Sequence, residues 1–217
     1  MNHNITITTL FNDLIGQNTA TDFLVSALIQ GHIAPSYLFI GPHGVGRKLC
    51  AIKFAIGLLY QDNISRDQIE RVEKNNHPDL LWIEPTYIHQ GQLITKSKAV
   101  AENVSRRSKP QIRLEQIREI KVFLGKRPLE GDKHIIILEN VEDMAESASN
   151  ALLKTLEEPC NGVLLLITSR PEKLLATILS RCQKIHFNYL DQASIKKILA
   201  QAKAKEQDLE EKINDIN

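Results

Sequence analysis

Four short runs of consecutive apolar residues occur along the chain, each bounded by polar or turn-forming residues. They occupy residues 37–40, 80–83, 135–138 and 163–167. Strands that are covered on both faces have such uninterrupted runs, whereas half-exposed strands alternate apolar and polar positions. The pattern therefore predicts a parallel sheet with helices on both of its faces.

Between these runs, apolar positions recur at helical spacing. Ile117, Ile120 and Leu124 stand at i, i+3 and i+7, which places them on one face of a helix. The same reasoning predicts helices over residues 19–30, 48–59, 114–124 and 146–158. Alternation of buried strands with helices is typical of the α/β class. Residues 84–108 have weak periodicity, and there the sequence predicts loop with some helix.

The character of the chain changes near residue 188. From Asp191 onward the sequence is highly charged and helical in pattern, and it has no apolar run of the kind that forms a strand. We therefore predict an α/β domain over residues 1–188, followed by the beginning of a small helical domain over residues 189–217.

Composition excludes several classes of protein. The 217 residues are 42% hydrophobic and 24% charged, with a net charge of +1. No stretch approaches the roughly 20 apolar residues that a membrane span needs, and the first residues do not resemble a secretory signal. The three cysteines, Cys50, Cys160 and Cys182, lack the spacing of a metal site or a disulfide framework. These features predict a cytoplasmic protein that binds no zinc and has no membrane anchor.

Positive charge is concentrated in one segment. Residues 96–127 contain ten basic and three acidic side chains, a local excess of seven positive charges. Such an excess is typical of a segment that binds a polyanion, although a solvated surface has the same composition. The candidates for contacts with DNA phosphates are Arg106, Arg107, Lys109, Arg113 and Arg118.

A glycine-rich segment joins the first predicted strand to a predicted helix. A phosphate-binding P-loop has the pattern G-x-x-x-x-G-K-[ST] in this context: its lysine contacts phosphates and its hydroxyl binds Mg²⁺. The glycines are present here as Gly41, Gly44 and Gly46, but Arg47 occupies the lysine position and Lys48 the hydroxyl position. No Ser or Thr side chain can therefore bind Mg²⁺ at this point.

The end of the third apolar run departs from the ATPase pattern as well. In P-loop ATPases, such a strand ends in Asp-Glu, where the Asp assists the metal and the Glu polarises the attacking water. This chain has Glu139 and Asn140 instead, and an amide cannot act as a general base. Both segments thus predict a degenerate nucleotide site without ATP or Mg²⁺ as a working cofactor. A glycine loop unrelated to P-loops stays an alternative.

Several motifs together resemble the AAA+ ATPase subunits of bacterial DNA polymerase III clamp loaders. The motifs are DLIGQ at 13–17, PSYLFIGPHGVG at 35–46, ALLKTLEEP at 151–159 and SRC at 180–182. ALLKTLEEP together with SRC is highly specific. HPD at 77–79 is most similar to the delta prime branch of this family.

The resemblance implies an AAA+ fold and a catalytically silent subunit of the clamp-loader ring within the DNA polymerase III holoenzyme. Its partners would be gamma or tau and delta subunits, the sliding clamp and primer-template DNA, and the isolated fragment would be a monomer. Arg181, flanked by Ser180 and Cys182, would be an arginine finger that acts in the ATP site of a neighbouring subunit. Thr168 stands where relatives have a polar residue that senses the γ-phosphate.

Two features depart from the family pattern. Many relatives bind zinc through four cysteines before the second strand, but residues 60–80 contain no cysteine. Relatives also continue through a helical lid and a collar domain, so we expect this chain to be a truncated form that ends within the lid.

Two other classes of function stay open. One is an active P-loop enzyme, such as a helicase loader or a nucleotide kinase, and the other is a plain DNA-binding module. Nucleotide titration separates the first from a silent subunit, and salt-dependent DNA binding by the isolated chain would favour the second.

Overall fold

The computed structural model describes residues 5–89, 92–101, 109–158 and 161–214. Its strands are β1 (Ser36–Ile40), β2 (Leu80–Ile83), β3 (Thr86–His89), β4 (Gln92–Thr95), β5 (His134–Glu139), β6 (Gly162–Thr168) and β7 (Gln183–His186). Five of them form a parallel sheet in the order β2-β5-β6-β1-β7, and β3 and β4 form an antiparallel hairpin. The predicted α/β class and all four predicted strands are confirmed.

Helices cover both faces of the parallel sheet. They are α1 (Ile7–Leu10), α2 (Asn18–Gln30), α3 (Arg47–Tyr60), α4 (Arg66–Glu73), α5 (Lys96–Ala101), α6 (Leu114–Leu124), α7 (Glu146–Glu157), α8 (Ala176–Leu179) and α9 (Gln192–Asn214). Short 3-10 turns occupy Val141–Asp143 and Pro171–Lys173. The four predicted helices correspond to α2, α3, α6 and α7, with ends that differ by at most one residue.

The uninterrupted apolar runs result from a sheet with two covered faces. In β5, Ile135 and Ile137 belong to the core on the α3 side, whereas Ile136 belongs to the core formed with α6 and α7. Successive side chains of a strand point to opposite faces, so both faces demand apolar residues. Phe54 of α3 packs edge-on against Tyr37 of β1, with ring centroids 4.9 Å apart, and fixes that helix against the sheet.

Among the elements that were not predicted from sequence are β7, the hairpin of β3 and β4, and α4. Strand β7 lies at a sheet edge, where only one of its four residues is buried, so it has no apolar run. The hairpin of β3 and β4 corrects the prediction of loop for that segment, although α5 agrees with the expected helix. Its cross-strand pair Ile88 and Leu93 is exposed, so no core imposes an alternating pattern. Helix α4 has one buried residue, Val72, too few to give a clear period.

A buried carboxylate fixes the loop that leads into β5. Asp79, which is fully buried, accepts hydrogen bonds from the backbone N–H groups of Leu129 (2.6 Å), Glu130 (2.7 Å) and Gly131 (2.7 Å). The backbone N–H of Asp79 donates to Nδ1 of His77 at 3.1 Å. This cluster, here called the Asp79 knot, connects the start of β2 to the loop before β5, which is the neighbouring strand in the sheet.

The segment that leads into α9 is attached to the N-terminal part of the chain through a glutamine. The side-chain amide of Gln17 donates to the carbonyl of Asn188 (2.8 Å) and accepts from its N–H (3.1 Å). The predicted boundary near residue 188 falls at this connection, and the division into two domains stays a prediction. Of the helices in the described ranges, none is both long and apolar enough to cross a membrane.

Candidate functional site

The glycine loop lies between the carboxyl end of β1 and the start of α3. A Cβ on Gly41 would lie 2.5 Å from the carbonyl oxygen of Phe187, so only glycine fits this close approach. Gly46 has φ of +95°, a conformation that glycine adopts without steric cost, and Gly44 has φ of +81°. Glycine is thus suited to its place at all three positions of this loop by close approach or by backbone conformation.

Lys48 forms an ion pair with the carboxylate at the end of β5. Its Nζ lies 2.7 Å from Oε1 of Glu139, and Nε1 of Trp82 donates to the same oxygen at 2.6 Å. The ammonium also lies 4.6 Å from the centroid of the Trp82 ring, within the range of a cation–π contact. Trp82 thus holds both partners of the pair.

This ion pair does not fit a bound Mg²⁺. In a working P-loop site, the metal is bound by a hydroxyl at the position of Lys48 and a carboxylate at the position of Glu139. A fixed positive charge against the carboxylate repels a divalent cation, and Lys48 offers the metal no oxygen. Among the described residues, no group of three or more His, Cys, Asp or Glu side chains is arranged to hold a metal ion.

Arg47 is buried inside the loop. It is 6% exposed, and its Nη1 has no hydrogen-bond partner among the described residues. Burial lowers the pKa of Arg47, whereas Glu142 and Glu139 raise it. The guanidinium still remains charged, since its ordinary pKa lies far above neutrality. Its Nη2 lies 3.5 Å from Nδ1 of His43, so this cation is directed toward a side chain of its own loop.

A chain of hydrogen bonds connects the glycine loop to the end of β6. Because a guanidinium only donates, Nδ1 of His43 accepts from Arg47, and Nε2 of His43 then carries the hydrogen. That nitrogen donates to Oγ of Ser169 at 3.0 Å, and the Ser169 hydroxyl donates to Oε1 of Glu142 at 2.6 Å. Protein side chains thus pair with one another at the mouth of the loop.

The remaining predicted nucleotide residues also have internal roles. Asn140 is in the left-handed region with φ of 50° and precedes the turn Val141–Asp143, a conformation that Asn tolerates better than most residues. Thr168 is fully buried, and its hydroxyl accepts from the N–H of Arg170 at 3.1 Å. Burial alone would raise the pKa of Glu142, but hydrogen bonds from Ser169 and Thr168 lower it overall.

Arg181 lies at the opposite end of β1 from the glycine loop. Its carbonyl accepts from Oγ of Ser36, the first residue of β1, at 2.8 Å. Gly41 follows the last residue of that strand, so roughly 17 Å of extended chain separates the two ends. Arg181 therefore lies far from the glycine loop of its own chain.

The side chain of Arg181 is held at the surface. Its Nη1 donates to the carbonyl of Thr177 (3.0 Å) and its Nη2 to Oε1 of Glu157 (2.6 Å). The neighbouring Ser180 hydroxyl donates to the same Thr177 carbonyl at 3.1 Å. Cys182 is buried, and burial raises the pKa of its thiol, so it serves packing.

The basic candidates are only partly described. Lys109 and Arg118 are exposed, while Arg113 is half-buried and precedes α6. Arg106 and Arg107 lie outside the described residues, as does Cys160. Contact of this segment with DNA stays a prediction.

Sequence comparison gives a consistent family. The family described as "DNA polymerase III, delta subunit" matches residues 16–191. The DNA polymerase III subunit delta' of Pseudomonas aeruginosa is 33% identical over 156 residues, 69% of this chain and 42% of that protein. The delta' subunit of Bacillus subtilis is 29% identical over 178 residues (79% and 47%), and the tau subunit of Escherichia coli is 30% identical over 193 residues (86% and 26%). The chain thus spans between about a quarter and half of these relatives' length.

Solved structures with a similar fold include two proteins of Thermotoga maritima. One is a DNA polymerase III gamma subunit-related protein, with a TM-score of 0.51 and 22% identity over 78% of this chain and 47% of that one. The other is the RuvB Holliday junction branch migration motor, with a TM-score of 0.56 and 14% identity over 90% of this chain and 53% of that one. At such identities the likeness shows the fold alone, and that fold is of the AAA+ kind.

Proposed function

The chain belongs to the DNA polymerase III delta subunit family, and from that premise we propose that it is a clamp-loader subunit that hydrolyses no ATP itself. Delta' and gamma/tau subunits are similar to it at about the same identity. We assign it to the delta' type, because the Lys48–Glu139 ion pair occupies the positions that would bind Mg²⁺ in its own site. A subunit that hydrolyses no ATP can still contribute to a ring by placing a side chain in the ATP site of a neighbouring subunit.

The Lys48–Glu139 ion pair is the observation that supports the absence of ATP hydrolysis by this chain. The two positions that would bind Mg²⁺ neutralise each other at 2.7 Å, and Asn140 provides no base for water. The alternative of an active P-loop enzyme requires this pair to separate and a metal to bind beside an ammonium. Repulsion between the divalent cation and the ammonium of Lys48 opposes binding of the metal.

The contribution to a neighbour is an arginine finger, Arg181. In the neighbouring site, the oxygen of water bonds to the γ-phosphorus of ATP while the bond from that phosphorus to the β–γ bridging oxygen breaks, which yields ADP and phosphate. A guanidinium stabilises the negative charge on the transferring phosphoryl group. The position of Arg181 at the surface, remote from its own glycine loop, supports this role.

Reconstitution tests the proposal. The full-length protein is combined with cognate gamma or tau and delta subunits, the sliding clamp and primed DNA. We expect DNA-stimulated ATP hydrolysis and clamp loading that depend on its presence, with unprimed duplex as the control. A complex that loads clamps at the same rate without this protein contradicts the proposal.

A second expectation concerns the isolated chain, which we expect not to hydrolyse ATP. The double variant Arg47→Lys, Lys48→Thr should gain measurable affinity for Mg²⁺-ATP by calorimetry, because it regains a metal ligand and frees Glu139. Turnover should stay near background, since Asn140 is unchanged. Lys74→Thr, which removes an exposed lysine paired with Glu70, is the matched control. Robust hydrolysis by the unmodified chain is the contrary result.

A further inference from the structure

Glu157 occupies an unfavourable position for an acidic residue. It is the last residue of α7, where the helix dipole favours cations and disfavours carboxylates. The helix therefore does not explain a carboxylate at this position.

The carboxylate is explained by what it contacts. Oε1 of Glu157 accepts from Nη2 of Arg181 at 2.6 Å, across 24 positions of sequence. Nη1 of the same guanidinium donates to the carbonyl of Thr177 at 3.0 Å. Two acceptors on different elements thus fix the plane of the guanidinium.

The backbone of Arg181 is anchored independently of its side chain. Oγ of the buried Ser36 donates to its carbonyl at 2.8 Å, and its N–H donates to the carbonyl of Ile178 at 3.1 Å. These two bonds hold the main chain, and the orientation of the guanidinium then depends on its contacts with Thr177 and Glu157. Thr177 acts through its backbone carbonyl, which leaves Glu157 as the side chain that sets this orientation.

The arrangement leaves the guanidinium able to bind an anion. An arginine has five N–H donors, and the two contacts above use one each on Nη1 and Nη2. About one third of the side chain is exposed. An incoming phosphoryl group can therefore be bound while Glu157 keeps its contact.

We propose that Glu157 is a positioning residue that holds Arg181 in the orientation in which it meets the nucleotide of a neighbouring subunit. This inference rests on the proposed function. Orientation of a charged group in advance reduces the cost of reaching the transition state, and small misplacements of such groups lower rates strongly.

The test uses the complete clamp-loader complex with Glu157→Ala in this subunit. Its matched control is Glu158→Gln, which alters the adjacent exposed carboxylate, paired with Lys121 at 3.2 Å. We expect Glu157→Ala to lower kcat for ATP hydrolysis at the neighbouring site, measured by rapid-mixing phosphate release, about tenfold. The KM for ATP and the thermal midpoint of the variant subunit should be unchanged, and Glu158→Gln should match the unmodified complex.

Two further variants separate the positioning role of Glu157 from the finger role of Arg181. They are Arg181→Ala and the double variant Glu157→Ala, Arg181→Ala. If Glu157 acts only through Arg181, the double variant is no slower than Arg181→Ala. A further loss in the double variant, or a Glu157→Ala complex as fast as or faster than the unmodified one while Arg181→Ala is slow, overturns the positioning role and leaves the proposed function intact. An Arg181→Ala complex of full activity removes the finger role itself.

Discussion

Arg181→Ala should lower ATP turnover at the neighbouring site by about 10³- to 10⁵-fold, the contribution of arginine fingers in phosphoryl transfer. The guanidinium supplies both a positive charge and a planar set of donors. A loader with several ATP sites would lose less of its total turnover, so the larger defect should appear in clamp loading. Rapid-mixing assays of phosphate release and of clamp loading on primed DNA measure both quantities.

The same variant should leave the subunit folded and able to assemble. The ion pair between Arg181 and Glu157 is solvent-exposed, with 34% and 53% of the side chains accessible, and such pairs stabilise by less than about 1 kcal/mol. Arg181→Lys should restore loading poorly, because an ammonium lacks the planar fork of a guanidinium. Unchanged loading and hydrolysis in an assembled Arg181→Ala complex would falsify the finger role.

Sequence alone was sufficient for four of the five strands of the parallel sheet, because burial on both faces requires uninterrupted runs of apolar residues. Each residue of 135–138 must be apolar when α3 packs on one side and α6 and α7 on the other. The edge strand β7 and the exposed β3–β4 hairpin have no such requirement. Their residues are set by cross-strand pairing, which a single sequence does not reveal.

The candidate site could be predicted only as a set of positions. Arg47, Lys48, Glu139 and Asn140 were identified because they depart from a known chemical pattern. The contacts among them were not predictable: Trp82 meets Glu139 from 57 positions away, and His43 meets Ser169 from 126. The order of the strands in the sheet brings such residues, distant in the sequence, into contact.

Asp79→Asn should destabilise the fold by about 3–5 kcal/mol, because a buried carboxylate that accepts three backbone N–H bonds loses its charge. In the variant, the amide NH₂ replaces an oxygen that faces the N–H groups of Leu129, Glu130 or Gly131, so donor meets donor. The loop before β5 would then lose its attachment to β2. Urea unfolding at pH 7.5 measures the change. Asp132→Asn, an exposed site, should shift stability by no more than about 0.5 kcal/mol.

The Asp79 knot also sets a direction for the pH dependence. Burial alone would raise the pKa of Asp79, but its three backbone hydrogen bonds and His77 lower it overall. Its contribution is therefore complete above the unfolded pKa of about 3.9 and is lost as pH falls through the lower folded pKa.

Burial lowers the pKa of His77, so the unfolded chain takes up that proton first and stability should begin to fall below about pH 6.5. Unmodified protein should thus lose stability from pH 7.5 to 5.5 through His77 and again below about pH 4 through Asp79. Asp79→Asn should retain the first loss and show a smaller second loss than the unmodified protein, because Glu142, whose pKa is also lowered, still contributes there. An unfolding midpoint for the variant equal to that of the unmodified protein at pH 7.5 would show that the knot does not hold the loop.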